Sequence, residues 1–171
     1  MKKANNLVSL IISDITQYSR EPSLKTFLKL YISNPGFRVV VLIRLITAEF
    51  SIMKHLKKLV RIHILRSYGF DFSLGCIIES GLRIDHPVGI VIGKGVYIGQ
   101  NCYLGQGVTI GEKYIDSRSD GKYPTLGNSV MVGAGSAIIG KVSIGNNVTI
   151  GARSLVLKDV PHSITVYGTW N

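Results

Sequence analysis

Along the second part of the chain an aliphatic residue returns every six positions, usually with glycine or a small residue behind it. The series runs Ile92, Ile98, Leu104 and Ile110, then Leu126, Val132, Ile138, Ile144, Ile150 and Val156. A smaller apolar set follows four residues after most of these: Val96, Cys102, Val108, Val130, Val142 and Val148. A period of six matches neither the 3.6 of an α-helix nor the 2 of a strand, and predicts a coil that repeats itself. Glycine supplies the turns, and each aliphatic side chain stacks on its copies one coil above and below. Two places break the count. From Ile110 to Leu126 is sixteen residues, a hexad plus ten, so residues near 112–125 must loop out. Counting back from Ile92 puts His86 at an inward position, where an unpartnered imidazole is costly. Either the chain bulges at Asp85-His86-Pro87, or a neighbour satisfies the ring.

Upstream the spacing becomes helical. Leu7, Leu10, Ile11, Ile15 and Tyr18 share one face of a first helix, and Pro22 opens a second carrying Leu24, Phe27, Leu28 and Tyr31. Asn34-Pro35-Gly36 stops that helix. A third spans about Phe37 to Phe50, and a fourth spans about Ile52 to Ser67 and ends at Gly69. The expected organisation is therefore a helical region over 1–68 and a repetitive coil over 69–171. The third helix is unusually apolar, from Val39 to Ile46, but far shorter than the roughly 20 residues a bilayer span needs. Its plain reading is a helix buried between neighbours. A second reading sets the basic helices, with Lys54, Lys57, Lys58, Arg61 and Arg66, against an anionic membrane face.

Charge sharpens this division. Of a net +10, residues 1–69 hold twelve Lys/Arg against three acids, and residues 70–171 hold eight against seven. A basic patch can meet nucleic acid, a membrane or an anionic substrate. No nucleic-acid module or aromatic-interleaved basic stripe accompanies it, so nucleic acid is set aside. The two cysteines, Cys76 and Cys102, have no metal or redox spacing and alternate with aliphatic residues, as core thiols in a reducing compartment do. Met1-Lys2-Lys3 leads into Asn5, Asn6, Ser9, Ser13 and Asp14, which is no secretory signal. A cytoplasmic location is expected, at the inner membrane face under the second reading of the helices.

Candidate chemistry centres on His86, with acids at Asp71 and Asp85. A carboxylate bonded to one ring nitrogen fixes the tautomer and raises basicity at the other, as a proton-abstracting base requires. No metal is expected, because a zinc site of the three-histidine type cannot be built from His86 and His162, the only two histidines of the coil. His162, near the C-terminus, reads as a solvated end-cap.

The stretch from Gly81 through Asp85-His86-Pro87-Val88-Gly89 to Gly93, with Gln106–Gly111, Pro124–Asn128, Val132–Gly140, Ile150–Pro161 and Val166–Gly168, resembles the serine acetyltransferases and their relatives. The resemblance covers about residues 68–168. It implies an all-β left-handed parallel β-helix of hexapeptide repeats, preceded by a small α-helical region, and assembled as a homotrimer or a dimer of trimers. It also implies acetyl-CoA as co-substrate. His86 matches the family's general base, Asp71 the acid paired with it, and Asp85 an acid that contacts the acceptor. Gly111, Ala134 and Ala152 match the small residues that let the pantetheine arm lie between subunits.

Three departures bear on the acceptor. Where serine-acetylating members end the polar loop in Arg-His-Pro, this chain has Lys122-Tyr123-Pro124, so Lys122 and Tyr123 become the candidate acceptor contacts. The family's Gly-Glu is Gly93-Lys94. The helical region is short, and the chain stops at Asn171 without the tail that lies along the cofactor. This form, with Asn34-Pro35-Gly36 before Leu42-Ile43-Arg44, looks more like acetyltransferases of capsule and exopolysaccharide biosynthesis. The expectation is an acetyl-CoA-dependent O-acetyltransferase acting on a sugar hydroxyl of a surface polysaccharide or its precursor. L-serine is the alternative acceptor, and a non-catalytic scaffold a third reading. Transfer is expected to be direct, since no serine or cysteine is paired with His86 in a nucleophile motif.

Overall fold

The computed structural model describes residues 7–47, 54–113 and 123–171. Four helices come first: α1 (Leu7–Thr16), α2 (Leu24–Ser33), α3 (Pro35–Thr47) and α4 (Lys54–Tyr68). Ser23 caps α2 by accepting from the Thr26 amide at 3.1 Å. Asn34-Pro35-Gly36 does more than stop that helix. The Asn34 side chain accepts from the Phe37 amide at 2.8 Å, and Pro35 occupies the first turn, so the same three residues start α3 at once after a 111° bend. The third helix therefore begins two residues before the expected Phe37.

From Asp71 the chain winds into a left-handed triangular coil with three parallel faces. The first face stacks Asp71–Phe72, Val91–Ile92, Thr109–Gly111, Ala137–Ile139, Leu155–Val156 and Thr169–Trp170. The second stacks Ile77–Ile78, Tyr97–Ile98, Thr125–Leu126 and Ser143–Ile144, and the third Tyr103–Leu104, Met131–Val132, Thr149–Ile150 and Thr165–Val166. Every aliphatic residue of the six-residue series from Ile92 to Val156 is buried, as is every member of the smaller set. Each such side chain contributes roughly 1.5–3 kcal/mol of apolar burial.

Strand register measures the irregularities. Val91 pairs with Thr109, the regular eighteen-residue coil, but Thr109 pairs with Ala137, which is ten residues longer. The excursion after Gly111 is thus outside the ladder. Asp71 pairs with Val91, Ile77 with Tyr97 and Arg83 with Tyr103, each two residues longer than a regular coil. The surplus pair lies between Ile84 and Ile92, both fully buried. Ile84 therefore occupies the inward position to which counting assigned His86. The chain bulges, Pro87 is buried, and His86 is exposed on the outside.

The first coil is an edge, with no strand beneath it among the described residues, and the helical region supplies its missing partners. Asp14 of α1 accepts from the Gly81 and Leu82 amides at 2.9 and 3.0 Å. Arg44 of α3 donates to the carbonyls of Ile78 and Glu79, both at 2.6 Å. The two side chains also pair with each other through two bonds of 2.9 and 3.0 Å, and each is almost completely buried. The Tyr18 hydroxyl accepts from the Ile84 amide at 2.9 Å and donates to the Ile84 carbonyl at 2.7 Å. Burial pushes that hydroxyl well above its ordinary pKa, so it keeps its proton for the donated bond.

Helix α3 is apolar on two sides because it is packed on two sides. Val39, Val40, Ile43 and Ile46 join the core of the coil, while Phe37 and Val41 meet Ile15 of α1 with Phe27 and Tyr31 of α2. This is the plain reading of a helix buried between neighbours. Among the described residues no single helix is long and apolar enough to cross a membrane.

Replacing Arg44 by Met leaves the Asp14 carboxylate buried without a counter-charge and should lower unfolding stability by about 3–5 kcal/mol in urea melts. Asp14→Ala should cost a similar amount, and the double variant less than the two single costs together, because the shared charge is then removed from both sides.

Candidate active site

The three edges of the prism carry different chemistry. At the edge between the third and first faces the corner peptides stack in single file. Gly107 donates to the Val88 carbonyl, Gly135 to that of Gln106 and Arg153 to that of Ala134, at 2.8–2.9 Å. Val88, Gln106, Ala134 and Ala152 are thus equivalent corners of successive coils, and His86 lies two residues before the lowest. Its imidazole is exposed and makes no hydrogen bond among the described residues. Ala134 and Ala152 rise above it with nothing larger than a methyl group. Bulk is excluded beneath them too: a Cβ at Gly133 would fall 2.5 Å from the Ala152 amide nitrogen.

The remaining expected site residues fall around this edge and the next. Asp85 is gripped by Arg83 through two bonds of 3.2 Å, and Arg83 also donates to the Gln17 carbonyl at 2.9 Å and covers the Tyr18 ring at 5.3 Å. Asp71 points outward from the first face, next to the buried Phe72. Its Oδ1 accepts from Arg61 of α4 at 2.5 Å, and Arg61 also donates to the Phe72 carbonyl at 2.6 Å. No hydrogen bond joins Asp71 to His86 among the described residues. Gly111 and Tyr123 belong to a different edge, between the first and second faces, where the excursion leaves and returns. A Cβ at Gly111 would meet nothing within 4 Å, whereas the Tyr123 ring lies directly over Gly95. Gly111 is therefore separated from Ala134 and Ala152 within one chain. Lys122 and most of the excursion lie outside the described residues.

The edge between the second and third faces is a ladder of side chains. Asn128 accepts from the Gln100 amide at 2.8 Å, Asn146 from Asn128 at 2.7 Å, and His162 Nδ1 from Asn146 at 2.8 Å. His162 is exposed, but it ends a ladder and is not merely solvated.

Sequence reasoning passed over Tyr18, Arg61 and Arg83. Tyr18 reads as one residue of a helical face and Arg61 as one of several basic charges, and neither spacing reveals a backbone or carboxylate partner outside its own helix. Arg83 stood two residues before Asp85 inside the most distinctive segment, and that proximity was a usable signal.

Both cysteines are buried free thiols, that of Cys102 donating to the Gly127 carbonyl at 3.3 Å, and burial pushes their thiols up to about 11. At neutral pH they are neutral thiols, poor nucleophiles on a thioester.

The residue pattern and the coil have known counterparts. Residues 123–158 match the family model described as bacterial transferase hexapeptide (six repeats), and residues 89–115 match the hexapeptide repeat of succinyl-transferase. The chain thus carries the repeats of the hexapeptide-repeat transferases. Among these, it is 37% identical to a serine acetyltransferase of Synechococcus elongatus over 88% of this chain and 62% of that one. To the serine acetyltransferase of Buchnera aphidicola (Acyrthosiphon pisum) it is 31% identical, over 95% and 60%. The Neisseria gonorrhoeae serine acetyltransferase in complex with serine superposes with a TM-score of 0.80 at 30% identity, covering 94% of this chain and 66% of that one. The soybean enzyme complexed with serine gives 0.81 at 27%, covering 95% and 67%. This chain spans about three-fifths of the length of such curated relatives. These relatives overturn the expectation of a polysaccharide acceptor and of a capsule-type enzyme. They are named for serine, they align through the helices as well as the coil, and the short helical region is no mark of a different acceptor class.

Two predictions follow from this geometry. Gly133→Ala should cost about 1–3 kcal/mol through a backbone clash, while Gly111→Ala should stay within about 0.5 kcal/mol, as thermal melts of the two variants would record. Iodoacetamide at pH 7.5 should leave Cys76 and Cys102 unmodified in the folded protein and alkylate both in urea, as intact-mass spectra would show.

Proposed function

We propose that this protein is an acetyl-CoA-dependent serine O-acetyltransferase, with His86 as general base. The observation that carries the reading is identity of 31–37% with serine acetyltransferases along nearly the whole chain. Alongside it stands an exposed histidine held on a two-residue bulge at the edge lined by Ala134 and Ala152.

In this mechanism the unprotonated imidazole of His86 takes the proton from the serine hydroxyl. The oxygen attacks the thioester carbonyl, and the tetrahedral intermediate expels the CoA thiolate. The imidazolium returns its proton to that sulfur, so base and acid are the same group used twice. Asp71 orients the ring. Arg61 occupies its Oδ1, leaving Oδ2 to accept the second imidazole N–H. Asp85 contacts the acceptor, with Lys122 and Tyr123 closing on it from the excursion. Ala134 and Ala152 leave room for the pantetheine arm, and Gly111 opens the neighbouring edge. Because His86 and the excursion sit on different edges of one prism, the site is completed in a homotrimer, one protomer's histidine edge facing the next protomer's loop edge.

Release of free CoA thiol should be seen with L-serine and acetyl-CoA, and not with acetyl-CoA alone. CoA binding without turnover on serine would refute the acceptor, and absence of both would make the protein a scaffold. His86→Ala should reduce kcat by about 10²–10⁴-fold with the trimer intact by light scattering. Full activity in that variant would remove His86 from the mechanism.

A further inference from the structure

The bulge that carries His86 begins immediately after Ile84, and Ile84 is where the helical region grips the coil most closely. In a parallel ladder alternate residues bond to opposite sides. Arg83 bonds upward, its amide to the Cys102 carbonyl at 2.9 Å and its carbonyl to the Leu104 amide at 3.1 Å. Ile84 therefore faces downward, where no strand lies among the described residues, and a single atom, the Tyr18 hydroxyl oxygen, satisfies both its amide and its carbonyl. The ring bearing that hydroxyl is fixed in turn. Phe37 meets it edge-on at 5.4 Å and the Arg83 guanidinium covers its face at 5.3 Å. From the other side, Gly36 of α3 is pressed so closely on the Ile84 carbonyl that any side chain there would collide with it.

We infer that Tyr18 is a positioning residue for His86, its hydroxyl standing in for the missing strand and fixing the backbone at Ile84 from which the bulge springs. This rests on the reading of His86 as the base. Four lines of geometry converge on it. Ile84 lies in the first coil, at the end of the ladder, with no strand below it among the described residues. The hydroxyl both donates and accepts. The ring is held by Phe37 edge-on and by the Arg83 guanidinium over its face. The distance along the chain from Ile84 to His86 is only two residues, too short for slack to accumulate.

The test compares Tyr18→Phe, which removes one oxygen atom, with Phe37→Leu, which loosens the packing of the ring but keeps its hydroxyl. Assembled Y18F should show kcat lower by about 10- to 100-fold, the loss expected from a base displaced by up to an ångström, with KM for acetyl-CoA unchanged. F37L, which keeps the hydroxyl, should lose less kcat than Y18F. A second readout needs no turnover. The His86 imidazole signal, assigned by its disappearance in H86Q, should shift in Y18F while those of His55, His63 and His162 stay in place. If Y18F fails to assemble, 4-aminophenylalanine installed at position 18 replaces it. Its amine donates but accepts poorly, and the same losses are expected. Wild-type kcat with an unmoved His86 signal in either variant overturns the role of Tyr18. An active H86A protein instead overturns the underlying assignment of the base, so the two failures are distinct.

Discussion

A parallel coil ends in a row of backbone groups with nothing to bond to, and the buried Asp14–Arg44 pair is what closes that row here. Each orphaned amide or carbonyl costs about 1–3 kcal/mol when removed from water. The pair answers four of them, at Ile78, Glu79, Gly81 and Leu82, while neutralising itself. A buried ion pair is often worth no more than the apolar residues that could replace it. That comparison fails here, because leucine or methionine at these positions could not bond the edge. The charges are kept for their oxygens and N–H groups, and neutrality is what makes them tolerable inside the fold.

The same closing row supports the edge proposed for the chemistry. Asp14, Tyr18 and Arg44 bond successive stretches of the first coil, and the last bonded residue, Ile84, immediately precedes the bulge that exposes His86. The helical region is therefore not an appendage to the site. It forms the floor on which the functional edge stands, while Arg61 of α4 reaches Asp71 on the adjoining face.

What the sequence made legible follows from what is local. A six-residue period is a property of neighbours along the chain, and it located the inward residues from Ile92 to Val156 without error. It also located both interruptions. It misplaced His86 by assuming the period continued backward through a bulge, although a bulge was the first alternative to a buried ring. The helices were legible as elements, but not as a cap. Arg44 inside an apolar run was a signal of a buried partner, and Asp14 inside another amphipathic segment was its counterpart. Thirty residues separate them, and spacing cannot join residues across such a gap. Tyr18 is the clearest case, since a tyrosine on an apolar helical face reads as packing, and only the fold reveals that its oxygen serves a backbone sixty-six residues away.

The ten-residue excursion has a consequence for how such a protein can change over evolutionary time. The strands before and after it pair as though it were absent, Thr109 with Ala137 and Tyr97 with Thr125. Length and composition there are invisible to the ladder, so they can drift without an energetic penalty to the scaffold. The bulge at His86 has no such liberty, Ile84 at its base being gripped by Tyr18, just past α1, and by Gly36 of α3. One edge is frozen and another is free. In a lineage built on this frame, the power to move a proton would be inherited, while the choice of molecule receiving the acyl group would be open to revision.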